Sequence, residues 1–485
     1  MTAWCCQLKH SPGSLAQADD PKVNAMLYTF NNGMRAHPRR GAATLVIVMV
    51  LFFMVSMVAA YTSRNLIFEQ RTGANQYRSS QALEAGDAAV EWALAHLNSG
   101  RLNSSCTAST DETPGTDLSF RERYFLPIDA ATGSIAPRAA AGAGSVQPRC
   151  VFDGGSTNEA QWRWNCHCPL ATLASPATAT IAAPATPGPA PAFVMRFLRP
   201  SPVARPEILI LDIATCTKLS ADCINFTAIR GSTGDGVARV TTLLALRGAL
   251  TRIPAGAITL SGSLQAIPVG TSLAVSNIEA AANGVTLHVG IGLPSPPDRL
   301  TLSGLPGAAG SSTVVVADNS LTPAAQGGFS SSELKFGQLF GLRPETYKRQ
   351  PGLPVLDCRA GCDANLIRST LTLNPGRPIW LEGNGGAVTL DGIVGTAALP
   401  ALLIVEGDIV MSAGAAFTGL LYGSKPNWTW TVAGAATVRG GAVGEGNLTL
   451  AGGGAAAVTY DAGVLRTLRV GQGTFVRVPG SWKDF

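Results

Sequence analysis

From Gly41 to Ser63 the chain runs 23 residues without a charge, GAATLVIVMVLFFMVSMVAAYTS, bounded by Arg39-Arg40 and Arg64. At 1.5 Å per residue a helix over this run is roughly 34 Å long, enough to cross a hydrocarbon layer of ~30 Å. No second charge-free run in the 485 residues is as apolar. A cleavable secretory signal has a shorter apolar core with its small cleavage residues behind it. Here the small residues Gly41-Ala42-Ala43 come first. Cys5-Cys6 have no apolar stretch before them, as a lipoprotein site requires.

Charge sets the topology of this span. The net formal charge is +5, and residues 1–41 hold Lys9, Lys22, Arg35, Arg39 and Arg40 against Asp19 and Asp20. The basic excess is therefore a property of the leader, and the rest of the chain is close to neutral. Arg35, Arg39 and Arg40 orient the span: the positive-inside rule keeps the N-terminus cytoplasmic and exports the residues beyond Thr62. No run of five Lys/Arg occurs, and aromatics are not interleaved with basic residues, so a nucleic-acid surface is not expected.

Beyond the span the pattern stays helical. Leu83, Val90, Leu94 and Leu97 recur near 3.5-residue spacing, with Glu84, Asp87 and Glu91 between them and Asn98-Ser99-Gly100 as a stop. The spacing predicts one helix over 42–97, weakened at Gly73 and Gly86 by ~1 kcal/mol each relative to Ala.

A basic leader ending Arg39-Arg40-Gly41, an apolar helix, then Phe68-Glu69-Gln70-Arg71-Thr72-Gly73-Ala74-Asn75-Gln76 and Gln81-Ala82-Leu83-Glu84-Ala85-Gly86-Asp87-Ala88-Ala89 together resemble the N-terminal region of PilX-type minor pilins of type IV pili, in the large β-proteobacterial form. The resemblance covers residues 35–97. It implies that a prepilin peptidase cuts between Gly41 and Ala42 and methylates Ala42, with Arg39 and Arg40 orienting the segment. Met34 is then a natural start, giving a short leader. Major pilins carry a Glu at the fifth mature position, paired with a neighbour's N-terminal amine; here that position is Val46. An unpaired charge in an apolar bundle is costly, so the loss suits a subunit that does not dock beneath a preceding one. A plain single-pass anchor with a basic flank is the alternative.

Cysteine usage fits export to an oxidising compartment. Cys5 and Cys6 fall in the leader, leaving Cys106, Cys150, Cys166, Cys168, Cys216, Cys223, Cys358 and Cys362 as disulfide candidates. Cys216 with Cys223, and Cys358 with Cys362, are close enough for local loops. Cys166 and Cys168 are expected to pair separately with Cys106 and Cys150, in either connectivity. A metal site on Cys166-His167-Cys168 lacks a second CxxC or His cluster, so no metal is expected.

The exported part is expected to be a β-rich head. Only 14% of the chain is charged, against about a quarter in ordinary soluble proteins, and it holds 54 Gly and 31 Pro. Residues 169–192 form a Pro/Ala/Thr-rich loop without charge. Ala192–Leu198, Glu207–Thr215 and Val237–Leu246 read as strands, which with the long helix give a pilin-like helix-on-sheet domain over 98–250. Over 251–485 short apolar pieces alternate with Gly, Asn and Ser: 257–260, 284–287, 312–316, 378–381, 401–405, 409–411, 419–422, 437–438, 448–450 and 458–460, with a helix over Ser331–Leu342. The spacing is too irregular for a repeat and suggests a β-solenoid or a stacked sandwich. The fold class is thus α+β, with leader 1–41, helix 42–97, and a Gly-punctuated head. Trp482 and Phe485 are candidate anchors capping the last strands.

No catalytic site is expected. HExxH, GxSxG and GxxxxGK[ST] are absent, and Gly290-Ile291-Gly292 and Gly444-Glu445-Gly446 read as turns. Glu382, Asp391, Glu406 and Asp408 are the candidates for paired carboxylates, with solvated turns as their simpler reading. Nothing calls for a cofactor. The expected role is that of a minor pilin, inserted in the inner membrane with its head in the periplasm and incorporated at or near the pilus tip. Its expected partners are prepilin peptidase, other minor pilins, the assembly machinery and a tip adhesin. A membrane-anchored carbohydrate-binding or adhesin module is the alternative.

Overall fold

A computed structural model describes residues 41–484 apart from 114, 130, 141–143, 146, 170–180, 182–183, 185–189, 201–204, 219–235, 295–297 and 384. The leader with Arg39 and Arg40, Cys223, Phe485 and nearly all of the 169–192 loop lie outside the described residues. The chain divides into two units, one ending at Arg71 and the other starting at Thr72.

In the first unit the described residues belong to helix α1 (Gly41–Leu97), whose remaining residues belong to the second unit. The side chains from Leu45 to Val58 are exposed, Phe52 and Phe53 at 73%. So much uncovered apolar surface is not tolerated in water and marks a lipid or protein contact. Two hydroxyls near the end of the span are satisfied within the helix: Thr62 Oγ1 donates to Val58 O at 2.9 Å, and Ser63 Oγ to Ala60 O at 2.9 Å. An apolar surrounding demands that economy.

The second unit opens with a helix packed on an antiparallel sheet. Strands β1 (Arg149–Asp153), β2 (Arg163–His167), β3 (Ala192–Leu198), β4 (Ile208–Cys216) and β5 (Val237–Gly248) lie in the order β5-β4-β3-β1-β2. β5 alternates buried and half-buried positions along most of its length, the period-2 signature of a sheet with one covered face. The covering face of α1 is Ala82, Ala85, Ala89, Val90, Ala93 and Leu97. A short helix α2 (Phe120–Tyr124), closed by a Ser119/Glu122 capping box, adds Phe120 and Tyr124 to this core.

The remainder is solenoid-like. After β6 (Ile258–Leu260), β7 (Ser272–Ser276), β8 (Leu287–Val289), β9 (Leu300–Ser303) and β10 (Val314–Val315) come helices α3 (Ser331–Phe340) and α4 (Pro344–Lys348). Then follow β11 (Val355–Asp357), helix α5 (Ala364–Leu373), β12 (Ile379–Glu382), β13 (Ala387–Leu390), β14 (Ala401–Val405), β15 (Asp408–Met411), β16 (Ala416–Gly423), β17 (Asn427–Val432), β18 (Ala435–Gly444), β19 (Asn447–Gly452) and β20 (Ala455–Tyr460). From β12 to β20 the chain alternates between two parallel sheets, β12, β14, β16, β18 and β20 stacking in one and β13, β15, β17 and β19 in the other. The early strands stack beyond the late ones: β7 pairs β20, and β6 pairs β18.

Parallel pairing throughout decides for a solenoid over a sandwich. Its register also shows why no repeat is legible: Ile379 stacks on Leu403, Ala401 on Gly419, Gly419 on Gly440, and Gly440 on Tyr460, steps of 24, 18, 21 and 20 residues. A Cβ on Gly440, whose φ is +124°, would lie 2.0 Å from Gly419 O. Only glycine lets the turns stack so closely. The expected strand at 284–287 is displaced to Leu287–Val289, because Gly284 turns at φ +63°. The helix expected over 331–342 ends at Phe340, stopped by Gly341 in the left-handed region.

Helix α6 (Ala462–Gly471) packs on β16, β18 and β5. The chain then returns to the antiparallel sheet, where β21 (Gly473–Arg477) and β22 (Lys483–Asp484) both pair with β5. Trp482, between these last two strands, packs against the helix-and-sheet core.

Candidate functional site

The apolar end of α1 is the first candidate site. The Gly41-Ala42 bond lies in its first described turn, and Val46, the fifth residue from Ala42, is exposed. From Thr44 onward this helix is long and apolar enough to cross a membrane.

Where α1 meets the antiparallel sheet, small residues bring the backbones together. A Cβ on Gly86 would sit 2.6 Å from Val240 Cγ2, and Thr215 Oγ1 on β4 donates to Ala82 O at 2.7 Å. Near the helix end Trp92 stacks on His96 at 3.8 Å between ring centroids, with Phe120 and Phe193 edge-on to Trp92. Burial draws the His96 pKa down, opposed by ring contacts to Trp92 O and Cys106 O.

At the C-terminus of α1 a buried polar network joins the helix-and-sheet part to the solenoid. Asn98 Oδ1 accepts from Phe475 N–H at 2.8 Å, Arg121 Nη2 at 3.1 Å and Arg377 Nη1 at 3.2 Å. Arg121 Nε also caps α1 through Leu97 O at 2.6 Å, and Arg377 Nη2 donates to Pro351 O at 2.6 Å. Burial pushes the Arg121 guanidinium well below its usual range, with repulsion from Arg377 adding to it; burial brings Arg377 down to about 10. The sequence offers no signal for this cluster, since its members are spread across hundreds of positions.

The cysteines beyond α1 form disulfides Cys106–Cys168, Cys150–Cys166 and Cys358–Cys362. Cys216 is disulfide-bonded as well, while Cys223 lies outside the described residues. Among the described residues no cluster of three His, Cys, Asp or Glu forms a metal site.

Three of the four carboxylate candidates are paired with lysines. Glu382 and Glu406 share Lys348 Nζ at 3.0 and 3.6 Å, and Asp408 pairs with Lys425 Nζ at 2.7 Å. The Lys348 hydrogen bond and charge hold Glu382 below the usual carboxylate range, the wrong direction for a general acid. Asp391 contributes its backbone carbonyl to Arg368.

A titratable cluster that local sequence patterns do not single out lies under α3. Lys335 Nζ donates to Ser261 Oγ and to Gly444 O at 2.8 Å. The adjacent Glu445 accepts from Tyr422 OH at 2.5 Å and from Ser332 Oγ. Burial lowers Lys335 to about 7 and raises Glu445.

A helix whose apolar residues from Leu45 to Val58 are exposed, and whose last turns pack on an antiparallel sheet, is consistent with the single-pass anchor and head of a pilin-like chain. Residues 40–91 match the family described as PilX N-terminal, so this segment is similar to the N-terminal region of PilX proteins. No curated protein matches the chain. The competence-associated pilin ComZ from Thermus thermophilus superposes at 9% identity over 85% of this chain and 97% of that one. Its TM-score of 0.23 is too low for the likeness to carry an argument.

Proposed function

We propose that the chain is a minor pilin of a type IV pilus, held in the inner membrane by residues 42–63 until assembly. The N-terminus faces the cytoplasm, and prepilin peptidase cuts the Gly41-Ala42 bond and methylates Ala42. The observation carrying this reading is the PilX-type segment at 40–91, whose apolar residues stay uncovered while its last turns enter the helix-on-sheet core. α1 is offered to a bundle of other minor pilins, and the assembly machinery extracts it from the membrane. Val46 in place of a carboxylate supports a position without a preceding subunit. The bulk of a head running from residue 98 to 485 supports the tip, since closely repeating subunits could not all carry it. There the solenoid is placed to serve adhesion, alone or beside a tip adhesin.

Mass spectrometry of the N-terminus isolated from cells tests this reading. Methylated Ala42 is the expected species, and Gly41→Glu is expected to leave the leader attached and abolish surface pili. An intact leader in wild-type cells, with pili indifferent to deletion of the gene, overturns it in favour of a membrane-anchored carbohydrate-binding module.

A further inference from the structure

Between the helix-and-sheet part and the solenoid lies a cavity of about 410 Å³, within the ~300–1,000 Å³ of small-molecule sites. Its walls are mainly apolar. Phe125 and Phe475 form its buried side, and Leu126 and Leu399 line it while remaining 46% and 52% exposed. Two guanidiniums, Arg121 and Arg138, share the wall with one carboxylate, Glu122. That carboxylate is occupied: Glu122 Oε2 accepts from Ser119 N–H at 2.9 Å and from Ser119 Oγ at 2.8 Å. Arg138 is half-buried and bonds through Nε alone, donating to Phe125 O at 2.8 Å and to Glu122 O at 3.0 Å. Among the described residues its Nη1 and Nη2 have no partner, and neither is closed off from solvent.

Behind this wall positive charge goes uncompensated. The Arg121 guanidinium lies over the Phe475 ring at 4.8 Å and donates to Leu97 O, Asn98 Oδ1 and Gly473 O. Arg377 shares Asn98 Oδ1 and Gly473 O and also reaches Pro351 O and Gly352 O. Every one of these acceptors is neutral, whereas buried cations are ordinarily paired with an acid. Arg121 Nη1, itself shut off from solvent, has no partner among the described residues. It supplies charge to the cavity and no contact. An anion placed in the cavity meets this field through apolar material, where it is weakly screened.

We propose that this cavity binds a small monocarboxylate with an apolar tail, of the medium-chain alkanoate kind, its carboxylate on Arg138 Nη1 and Nη2 and its tail against Phe125, Leu126 and Leu399. The planar fork of a guanidinium takes a carboxylate through two parallel N–H bonds. The charge of Arg121 and Arg377 favours that head over a cationic or neutral one. Phosphate presents three acceptor oxygens, more than the one free guanidinium satisfies. A peptide tail buries amides against walls that offer them few partners, so a plain hydrocarbon tail fits better.

The test is photo-crosslinking of the full-length protein, held in phosphatidylcholine nanodiscs, with a diazirine-bearing octanoate, read by peptide mass spectrometry. Labelling is expected to concentrate on residues 118–128, 375–376 and 398–399, and to be displaced by octanoate at concentrations where octanol and octylammonium leave it in place. Arg138→Gln is expected to cut this labelling at least about tenfold through loss of the charged pair, while Arg138→Lys, which keeps the charge, retains part of it. Leu399→Asp changes an exposed position outside the core and is expected to cut labelling as far, by putting a negative charge on the tail's wall. Labelling spread along the chain, or octanol displacing the probe as well as octanoate does, overturns the proposal. So does either Arg138→Gln or Leu399→Asp protein labelling as the wild type does. Stronger displacement by a short peptide ending in leucine with a free carboxylate overturns it in favour of a peptide site.

Discussion

Asn98, the first residue beyond α1, holds the backbone of Phe475 from both sides: Phe475 N–H donates to Asn98 Oδ1 at 2.8 Å, and Asn98 Nδ2 donates to Phe475 O at 2.9 Å. The two residues are 377 positions apart, so one amide fastens the end of the helix to the strand that closes the chain. The same Oδ1 is an acceptor for Arg121 and Arg377, two buried cations whose other partners are carbonyls. Asn98→Ala removes an acceptor from both guanidiniums and strips a buried strand residue of two bonds. A loss of about 3 kcal/mol or more in denaturant unfolding is expected, and a loss under about 1 kcal/mol would show that the network is dispensable.

The contact of Gly86 with Val240 makes a prediction whose sign depends on background. In the wild type, Gly86→Ala places a Cβ 2.6 Å from Val240 Cγ2, and the clash outweighs the gain in helix propensity of ~1 kcal/mol. With Val240→Ala the offending methyl is gone, and the neighbours that remain, the Cβ of residue 240 at 3.5 Å and Thr215 Cγ2 at 3.6 Å, are in ordinary contact. Gly86→Ala is therefore expected to destabilise the wild-type protein by about 1–2 kcal/mol and to be neutral or stabilising in the Val240→Ala protein. Equal effects in both backgrounds in a double-mutant cycle would disprove the close approach.

These two contacts separate what a sequence discloses from what it hides. The apolar span, the long helix and the three strands over 192–246 follow from local period and composition, and the structure has them within a few residues. The helix face is harder to read: of the stripe Leu83, Val90, Leu94 and Leu97, Val90 and Leu97 are fully buried and the two others half-buried, yet most buried positions are alanines, because a close helix-sheet approach selects for small size over hydrophobicity. α6 has a period-3.6 stripe of Ala462, Val464, Leu465 and Leu468 behind an Asp461 cap, a signal diluted by its Gly-rich surroundings. Glu445, between two glycines, reads as an exposed turn. It is half-buried because β6, nearly two hundred residues earlier, stacks on β18, and Lys335 comes over the top from a separate helix. Pairing between such distant segments leaves no local trace.

Stacking of the solenoid turns supplies a third expectation. Gly440→Ala must leave a backbone conformation that L residues avoid and push against Gly419 O at 2.0 Å. Gly453, in the turn between β19 and β20, has no atom within 4 Å of where a Cβ would stand and no positive φ. Thermal unfolding is expected to show a loss of more than about 3 kcal/mol for Gly440→Ala and a change within about 0.5 kcal/mol for Gly453→Ala. Similar effects at both sites would mean that the glycines are set by composition and not by stacking.

Lys335 gives the protein a pH dependence of definite sign. Its folded pKa of about 7 lies below the ordinary 10.5, so between these values the unfolded chain binds the extra proton. Stability then rises with pH, by about 1.4 kcal/mol per unit once the folded lysine has lost its charge. Below about pH 7 the charge stays on Lys335 in both states and the full cost of burying it is present. Two other groups bear on the neighbouring range. His96, drawn below 6.5, adds a slope of the same sign on the acid side, while Glu445, raised above 4.5, subtracts stability as pH climbs from its ordinary value to its folded one. From pH 7 to 9 the gain due to Lys335 is expected to reach roughly 2–3 kcal/mol. Lys335→Met removes the buried charge while keeping the volume, so it should be more stable than the wild type at pH 6 and lose most of the advantage by pH 9. Urea titrations of the two full-length proteins at pH 6, 7, 8 and 9 measure the difference. A constant offset across that range would show that the amine remains charged in the fold, and a wild-type protein losing stability from pH 7 to 9 would reverse the sign.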